Sequence, residues 1–296
     1  MGKEKFGVHN PDIHVSKSSL YVVATPIGNW GDMTARAIAV LNAADVIAAE
    51  DTRVTGQLLK QYGITTPMIS VREHNERAMA EKLIARLAAG EIVAQVSDAG
   101  TPAVSDPGAV LAASVHAAGF KVIPIPGASA LTTALSASGF SCAHSLFYGF
   151  LPPKTKQRCD ELTRLKDSPY ITVFYEAPHR IAECVADMSS IFGAEREAVL
   201  CRELTKTFET IRRGPLAELA EWIKNDPNQQ KGESVVVVNA APPAEKDEAA
   251  AHDQVLVPLV AELPVKQAVA LAQAITGAPR NALYERALAL KKAEQE

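Results

Sequence analysis

The sequence predicts an α/β protein: two α/β domains in succession, then a small helical hairpin. Three observations carry this. Between residues 20 and 139, short β-branched runs alternate with amphipathic helical stretches, the pattern of a mostly parallel sheet covered on both faces. Beyond residue 150 the alternation continues, with more charged helices and strands of more antiparallel character. A Pro/Ala/charge run over 240–254 then reads as a linker before two further helical patterns. The expected divisions are a polar tail over 1–19, a first domain over 20–145, a second over 146–240, a linker over 241–254 and the hairpin over 255–296.

In the first domain LYVVAT (20–25), VIAAE (46–50), PMISV (67–71), IVAQVS (92–97) and KVIPI (121–125) are the strands. Asp32 is placed to cap a helix through MTARAIAVLNAA, and TRVTGQLLKQYG has helical spacing ending at Gly63. Ala80, Leu83, Ile84 and Leu87 share one face of a helix that Gly90 stops. Asp106 followed by Pro107 gives the usual order of cap and first helical residue for the helix through VLAASVHAAG. PGASALTTALSASG is a small-residue helix. The second domain offers helices at TKQRCDELTRLKD, PHRIAECVADMSSIF and LAELAEWIKND. Its strands are YITVFYE (170–176), REAVLCREL (196–204), an edge strand at TFETIRRG, and ESVVVV (233–238). PVKQAVALAQAITG and APRNALYERALALKKA form the hairpin, similar to a helix-turn-helix.

Of the 296 residues 47% are apolar and 22% charged, the composition of a soluble globular protein. A net charge of only -4 leaves any nucleic-acid surface as a local patch. Aromatics, at 5%, argue against base stacking as the main recognition device. Cys142, Cys159, Cys184 and Cys201 form no CxxC pair and read as incidental thiols of a reducing compartment. The N-terminal stretch lacks the apolar core of a signal peptide, and no run approaches the ~20 apolar residues that span a bilayer, so the cytoplasm is the expected location.

The chemistry is expected at the strand ends. LYVVAT runs into PIGN (26–29), VIAAE into DTR (51–53), IVAQVS into DAGTP (98–102) and KVIPI into PGAS (126–129). Open α/β sheets bind ligands at the carboxyl ends of their strands, and Gly28, Gly100 and Gly127 let backbone approach closely. Ordinary βα turns favour the same residues, but four such loops at one edge point to a pocket. GxGxxG, GxxxxGK[ST], GxSxG and HExxH are all missing, and no Cys/His cluster suggests a metal. Asp98 and Asp106 read as turn and cap residues, which leaves a neutral pocket rich in backbone groups, suited to an adenosyl or amino-acid moiety.

Nine stretches carry a family resemblance: TPIGN (25–29), AAEDTR (48–53), HNE (74–76), VSDAGTPAVSDPG (96–108), PIPGASA (124–130), GFLPPK (149–154), FYEAPHR (174–180), RELTKTFE (202–209) and KGE (231–233). They cover roughly residues 20 to 240 in the family's order. Through them the chain resembles the tetrapyrrole methylase superfamily of S-adenosylmethionine methyltransferases. Within it, the likeness is to the branch that methylates the ribose 2′-oxygen of a cytidine in the decoding region of 16S rRNA. TPIGN, AEDTR and SDAGTP set it apart from porphyrin-methylating members, which usually show a glycine-rich first loop and a GDP-type motif.

The resemblance implies the two-domain tetrapyrrole methylase fold, with S-adenosylmethionine bound folded in the cleft between the domains. Its binding motifs fall on Pro26, Ile27, Gly28, Asn29, Asp98, Gly100, Thr101, Val104, Gly127, Ser129, Ala130, Tyr175, Glu176 and Leu204. Thr101 stands where other members have an Asp. Family members are commonly homodimers, and the helix over 127–139 offers a packing surface.

Methyl transfer to a hydroxyl needs near-attack positioning and loss of a proton. Asp51, His74, Glu176, His179, Lys206 and Glu209 are candidate proton acceptors, with Glu176 or Asp51 preferred. For RNA contact the expected residues are Lys154, Lys156, Arg158, Arg202, Lys206 and Lys231, with 16S rRNA, within the small ribosomal subunit, as partner. Two other readings remain open: an enzyme of this fold acting on a small macrocycle, and a non-catalytic S-adenosylmethionine-binding factor of ribosome assembly. The basic KTKQR stretch and the C-terminal hairpin argue against the macrocycle.

Overall fold

The computed structural model describes residues 13–141, 143–243 and 252–293. Most of the expected tail, most of the linker and Cys142 lie outside them. The chain falls into two compact units, 1–240 and 241–296.

In the first unit the chain begins with β1 (Ser19–Val23), α1 (Ala35–Ala43), β2 (Val46–Ala49), α2 (Thr52–Gln61), β3 (Met68–Ser70), α3 (Glu76–Ala88), β4 (Ile92–Val96), α4 (Ala109–Ala117), β5 (Lys121–Ile125) and α5 (Ala130–Ser138). The five strands form a parallel sheet in the order β3-β2-β4-β1-β5. Both faces are buried, which is why its central strands are mostly apolar and not apolar only at alternate positions, with Ser19 and Gln95 the buried polar exceptions. On one face Ala37, Val40 and Leu41 of α1 and Leu59 of α2 pack on Tyr21, Val23, Ile47 and Ala94. On the other, Leu83 and Leu87 of α3 and Leu111 and Val115 of α4 pack on Leu20, Val46, Ala48 and Val93.

The chain continues as β6 (Ser145–Phe150), α6 (Thr155–Leu165), β7 (Ile171–Glu176), α7 (Ile181–Phe192), β8 (Glu197–Arg202), β9 (Thr210–Pro215), α8 (Leu216–Asn225) and β10 (Ser234–Val238). This second sheet has the order β6-β7-β10-β8-β9. β6 and β7 are parallel, and β10 runs antiparallel to both β7 and β8, as the change in texture predicts. Helices α6, α7 and α8 cover one face through Leu162, Val185, Met188 and Leu219. The other face is covered from the first half: Ala134 of α5 is buried with Val173, Val199, Cys201 and Val237. The small-residue helix thus clamps the two sheets together.

Two helix starts differ from expectation. Thr34 caps α1, its hydroxyl accepting from Ala37 N, while Asp32 ends a short 3-10 turn. Gly108 is the N-cap residue of α4, at φ 135°, so Asp106 and Pro107 lie outside the helix. Among the described residues the second unit holds α9 (Asp253–Glu262), α10 (Val265–Thr276) and α11 (Arg280–Ala293): α10 and α11 are the expected hairpin, and α9 is a further helix before it. Leu256, Val260, Val269, Ala272, Leu283 and Ala287 close their common core. Pro258 sits inside α9, and this proline hides the helix from periodicity.

Candidate active site between the two sheets

The carboxyl ends of β1, β4 and β5 are tied into one shelf. Thr25 N donates to Gly100 O at 2.8 Å and Gly100 N to Thr25 O at 3.0 Å. The Thr101 hydroxyl donates to Ala128 O at 3.2 Å. A side chain at Gly127 would place its Cβ 2.9 Å from the Ala24 Cβ. Gly127 therefore serves loop against loop packing.

The facing edge belongs to the second sheet. Register places Phe150 opposite Tyr175, Glu176 opposite Ser234, Ser234 opposite Arg202, and Arg202 opposite Thr210. Three contacts close the two edges on each other. A Cβ at Gly28 would lie 2.3 Å from Lys206 Cγ and 3.1 Å from Leu204 O, so only glycine lets this loop reach the second sheet. A Cβ at Gly149 would come 3.0 Å from the Ser105 hydroxyl. Leu131 N, in the first turn of α5, donates to the Tyr175 hydroxyl at 3.0 Å.

Most residues expected to hold a cofactor meet here. Ile27, Ala130, Tyr175 and Leu204 share one apolar cluster built from both halves. Ile27 Cγ2 lies 3.4 Å from where a Gly100 side chain would begin. Pro26 is buried, Val104 half-buried, and Ser129 is the N-cap residue of α5 without a side-chain cap bond. Thr205 Oγ1, buried beside Gly28, has no hydrogen-bond partner. Asn29 is used locally, accepting from Gly31 N at 2.9 Å. Asp98 is a brace, its Oδ1 accepting from Asp51 N at 3.0 Å.

Both preferred proton acceptors are otherwise engaged. Asp51 accepts from Arg53 N at 2.9 Å and Arg53 NH2 at 2.6 Å, and Arg72 lies 3.6 Å away. The Arg53 guanidinium holds its carboxyl well below the usual range. It caps α2 and is a poor base. The Glu176 side chain is 0% exposed; its oxygens accept from Ala177 N at 2.8 Å and Arg180 NH2 at 2.9 Å. It anchors the turn into α7.

The carboxylate that the sequence reading missed is Asp106. Burial and the negative charges of Glu50, Asp98 and Glu233 push it up to about 6, although the Ser97 hydroxyl partly offsets them. Glu50 is raised too, by burial and then by Asp98. Asp106 follows Ser105, at φ 62°, on the loop that touches Gly149.

The expected RNA contacts divide. Arg158 is 1% exposed, with Nε 2.6 Å from Asp187 Oδ2, and is a core residue of the α6–α7 pair. Arg202 is 7% exposed and donates to Gln229 Oε1, Lys231 O, Phe208 O and Thr210 Oγ1. Neither faces solvent as an RNA contact must. Lys206 is half-buried and pairs with Glu203 at 2.8 Å and Glu233 at 3.0 Å. Lys154, Lys156 and Lys231 are exposed and have no ion pair among the described residues. No cluster of metal-ligating side chains is found among the described residues, and no helix there is long and apolar enough to cross a membrane.

The chain is similar to known proteins along most of its length. Residues 246–291 match the RsmI C-terminal HTH domain. The chain is 50% identical over 276 residues to ribosomal RNA small subunit methyltransferase I of Pseudomonas aeruginosa, covering 93% of this chain and 98% of the relative. The protein of the same name from Escherichia coli O157:H7 is 46% identical over 273 residues, covering 92% and 96%. Among solved structures, cobalt precorrin-4 methyltransferase superposes with a TM-score of 0.56 at 16% identity, covering 75% of this chain and 95% of that one. Diphthine synthase gives 0.55 at 15% identity, covering 75% and 89%. At such identities the likeness is one of fold. Residues 19–220 match the tetrapyrrole (corrin/porphyrin) methylases, and the chain belongs to that family.

Proposed function

We propose that this chain transfers a methyl group from S-adenosylmethionine to the ribose 2′-hydroxyl of a cytidine in the decoding region of 16S rRNA, on the small ribosomal subunit in the cytoplasm. The observation that carries the reading is 50% identity to a small-subunit rRNA methyltransferase across 98% of that relative's length, both sheets and the C-terminal unit included.

The cleft fits the cofactor. Ile27, Ala130, Tyr175 and Leu204 offer an apolar wall, and the unpartnered Thr205 hydroxyl offers a polar contact. S-adenosylmethionine, when bound, supplies a methyl group on a cationic sulfur. The protein's task is to hold the ribose oxygen in line with that group and to accept its proton. Asp106 suits the second task. Its acidity near 6 leaves it ionised at cytoplasmic pH yet basic enough to bind a proton. Burial, and then repulsion from Glu50, Asp98 and Glu233, hold it there.

Incubation with radiolabelled S-adenosylmethionine and small subunits lacking the modification tests this. Label is expected in 16S rRNA, with one linkage becoming resistant to alkali. Label in an alkali-labile nucleotide, in no RNA, or only in an added porphyrin defeats it.

A further inference from the structure

Two phenylalanines on the second sheet's edge stand in solvent without a part in the core: Phe150 is 52% exposed and Phe208 73%. Register fixes their places. Phe150 ends β6 opposite Tyr175, and its ring meets the Tyr175 ring edge-on with centroids 5.7 Å apart. Phe208 lies on the loop from Arg202 to Thr210 at the far side of the same edge. The strand order β6-β7-β10-β8 puts three spacings between them, about 14 Å.

The loop that carries Phe208 is braced from every side. Arg202 NH2 donates to Phe208 O at 3.0 Å, Thr205 N to Glu209 Oε2 at 2.6 Å, and Glu209 N to Lys206 O at 3.1 Å. A fixed loop that displays a bare ring is an arrangement for contact. The occupant's chemistry follows from the surroundings. The strand-end residues between the rings, Glu176, Ser234 and Arg202, are polar and buried, so no exposed apolar side chain of those strand ends links the two rings. Protein partners favour continuous apolar cores. Isolated rings beside cations suit unpaired nucleotides, whose bases present a flat π-face and whose backbone is anionic. Lys154 and Lys156 follow Phe150 and are exposed.

We propose that Phe150 and Phe208 are stacking platforms that grip unpaired bases of the RNA substrate at the two ends of the cleft edge. The proposal rests on the reading of the chain as an RNA methyltransferase. Full-length Phe150→Ala and Phe208→Ala variants are compared with wild type in two assays. One is fluorescence anisotropy with a labelled single-stranded, cytidine-centred RNA nonamer; the other is single-turnover methylation of unmodified small subunits. Each substitution is expected to weaken RNA binding about tenfold. Phe208→Trp retains binding and Phe208→Leu does not, which separates stacking from mere apolar contact. Affinity for S-adenosylmethionine, measured by calorimetry, stays at the wild-type value. Tyr170→Ala is the control: Tyr170 is exposed too but precedes β7 at the opposite edge, and its loss leaves RNA binding unchanged.

RNA affinities of both alanine variants within about twofold of wild type overturn the proposal. So does Phe208→Leu matching Phe208→Trp. A shift from dimer to monomer in Phe208→Ala, with RNA affinity kept, assigns the ring to a second copy of the chain instead. If the wild type itself neither binds nor methylates RNA, the functional reading falls first and takes this one with it.

Discussion

The loop over 97–108 and the loop over 203–209 both border the cleft, and both hold non-glycine residues in left-handed backbone. Ala103 and Ser105 have φ of 67° and 62°; Glu203 and Thr205 have 52° and 67°. Each such residue costs on the order of 1 kcal/mol, so both loops are held in shape by their surroundings. The means differ. The first loop is held by backbone pairing, through Thr25 with Gly100 and Ala103 N with Pro107 O. Its carboxylate, Asp106, is left among like charges. The second loop is held by ion pairs, with Lys206 bridging Glu203 and Glu233. Its charges are satisfied and an aromatic ring is left over. A frustrated carboxylate suits proton transfer, and a rigid neutralised loop suits substrate grip.

The largest test of that contrast is Asp106→Asn. Single-turnover methylation is expected to fall about a thousandfold, with S-adenosylmethionine affinity kept. In the wild type the rate rises with pH through about 6 as Asp106 loses its proton. Stability runs the other way. The folded protein raises the pKa of Asp106, so its contribution is full below the ordinary 3.8 and is lost as pH rises to about 6. Asp106→Asn is therefore expected to match or exceed wild-type stability at pH 7.5, by on the order of 1 kcal/mol after solvent screening. A variant that keeps its rate would end the distinction between the loops.

Asp187→Ala comes next. It removes the shorter ion pair of the buried Arg158 guanidinium, leaving Glu183 at 3.6 Å, and should cost about 2 kcal/mol in urea unfolding, with RNA affinity of the folded protein unaltered. A loss of RNA binding without loss of stability would return Arg158 to the RNA surface. Gly108→Ala should cost about 2 kcal/mol, because φ is 135° and the new Cβ would lie 1.9 Å from Gln95 Nε2. Calorimetric melting reads this directly.

Removing both Lys154 and Lys156 should weaken RNA binding severalfold and flatten its salt dependence by about one to two phosphate contacts. The melting temperature should not move. The smallest effect is expected from Asp51→Ala. Arg53 depresses the Asp51 pKa, so its stabilisation is present above the ordinary 3.8 and fades in acid. The melting difference from wild type should be small at pH 7 and shrink below pH 4, with methylation within about twofold. A collapse of the rate would restore Asp51 as the base.

Much of the fold was legible because the first sheet is buried on both faces. β1, β2 and β4 are mostly apolar runs bounded by turn residues, and they fall where the sequence puts them. β6 escaped because it is only partly buried and its pairing slips between Phe147 and Gly149. Ile27, Ala130, Tyr175 and Leu204, which the family's motifs group, do share one apolar cluster, whereas the surroundings of the charged groups were not legible. KTKQR shows three cations in five residues, and nothing local says that Arg158 turns inward to Asp187 on another helix. Asp106 followed by Pro107 has the form of a helix start, but the helix begins only after Gly108. The raised pKa of Asp106 depends on burial and then on Glu50 and Glu233, which are distant in sequence and close only in the fold.

The hydrogen bond from Leu131 N to the Tyr175 hydroxyl has a consequence for how motion in the cleft can be observed. The first N–H groups of a helix lack partners within it, so the protection of the Leu131 amide depends on a side chain from the other sheet. Hydrogen exchange at this amide is thus a built-in gauge of cleft opening. Exchange should slow when a ligand bridges the two edges, and its rate in the free protein should report how often the sheets part.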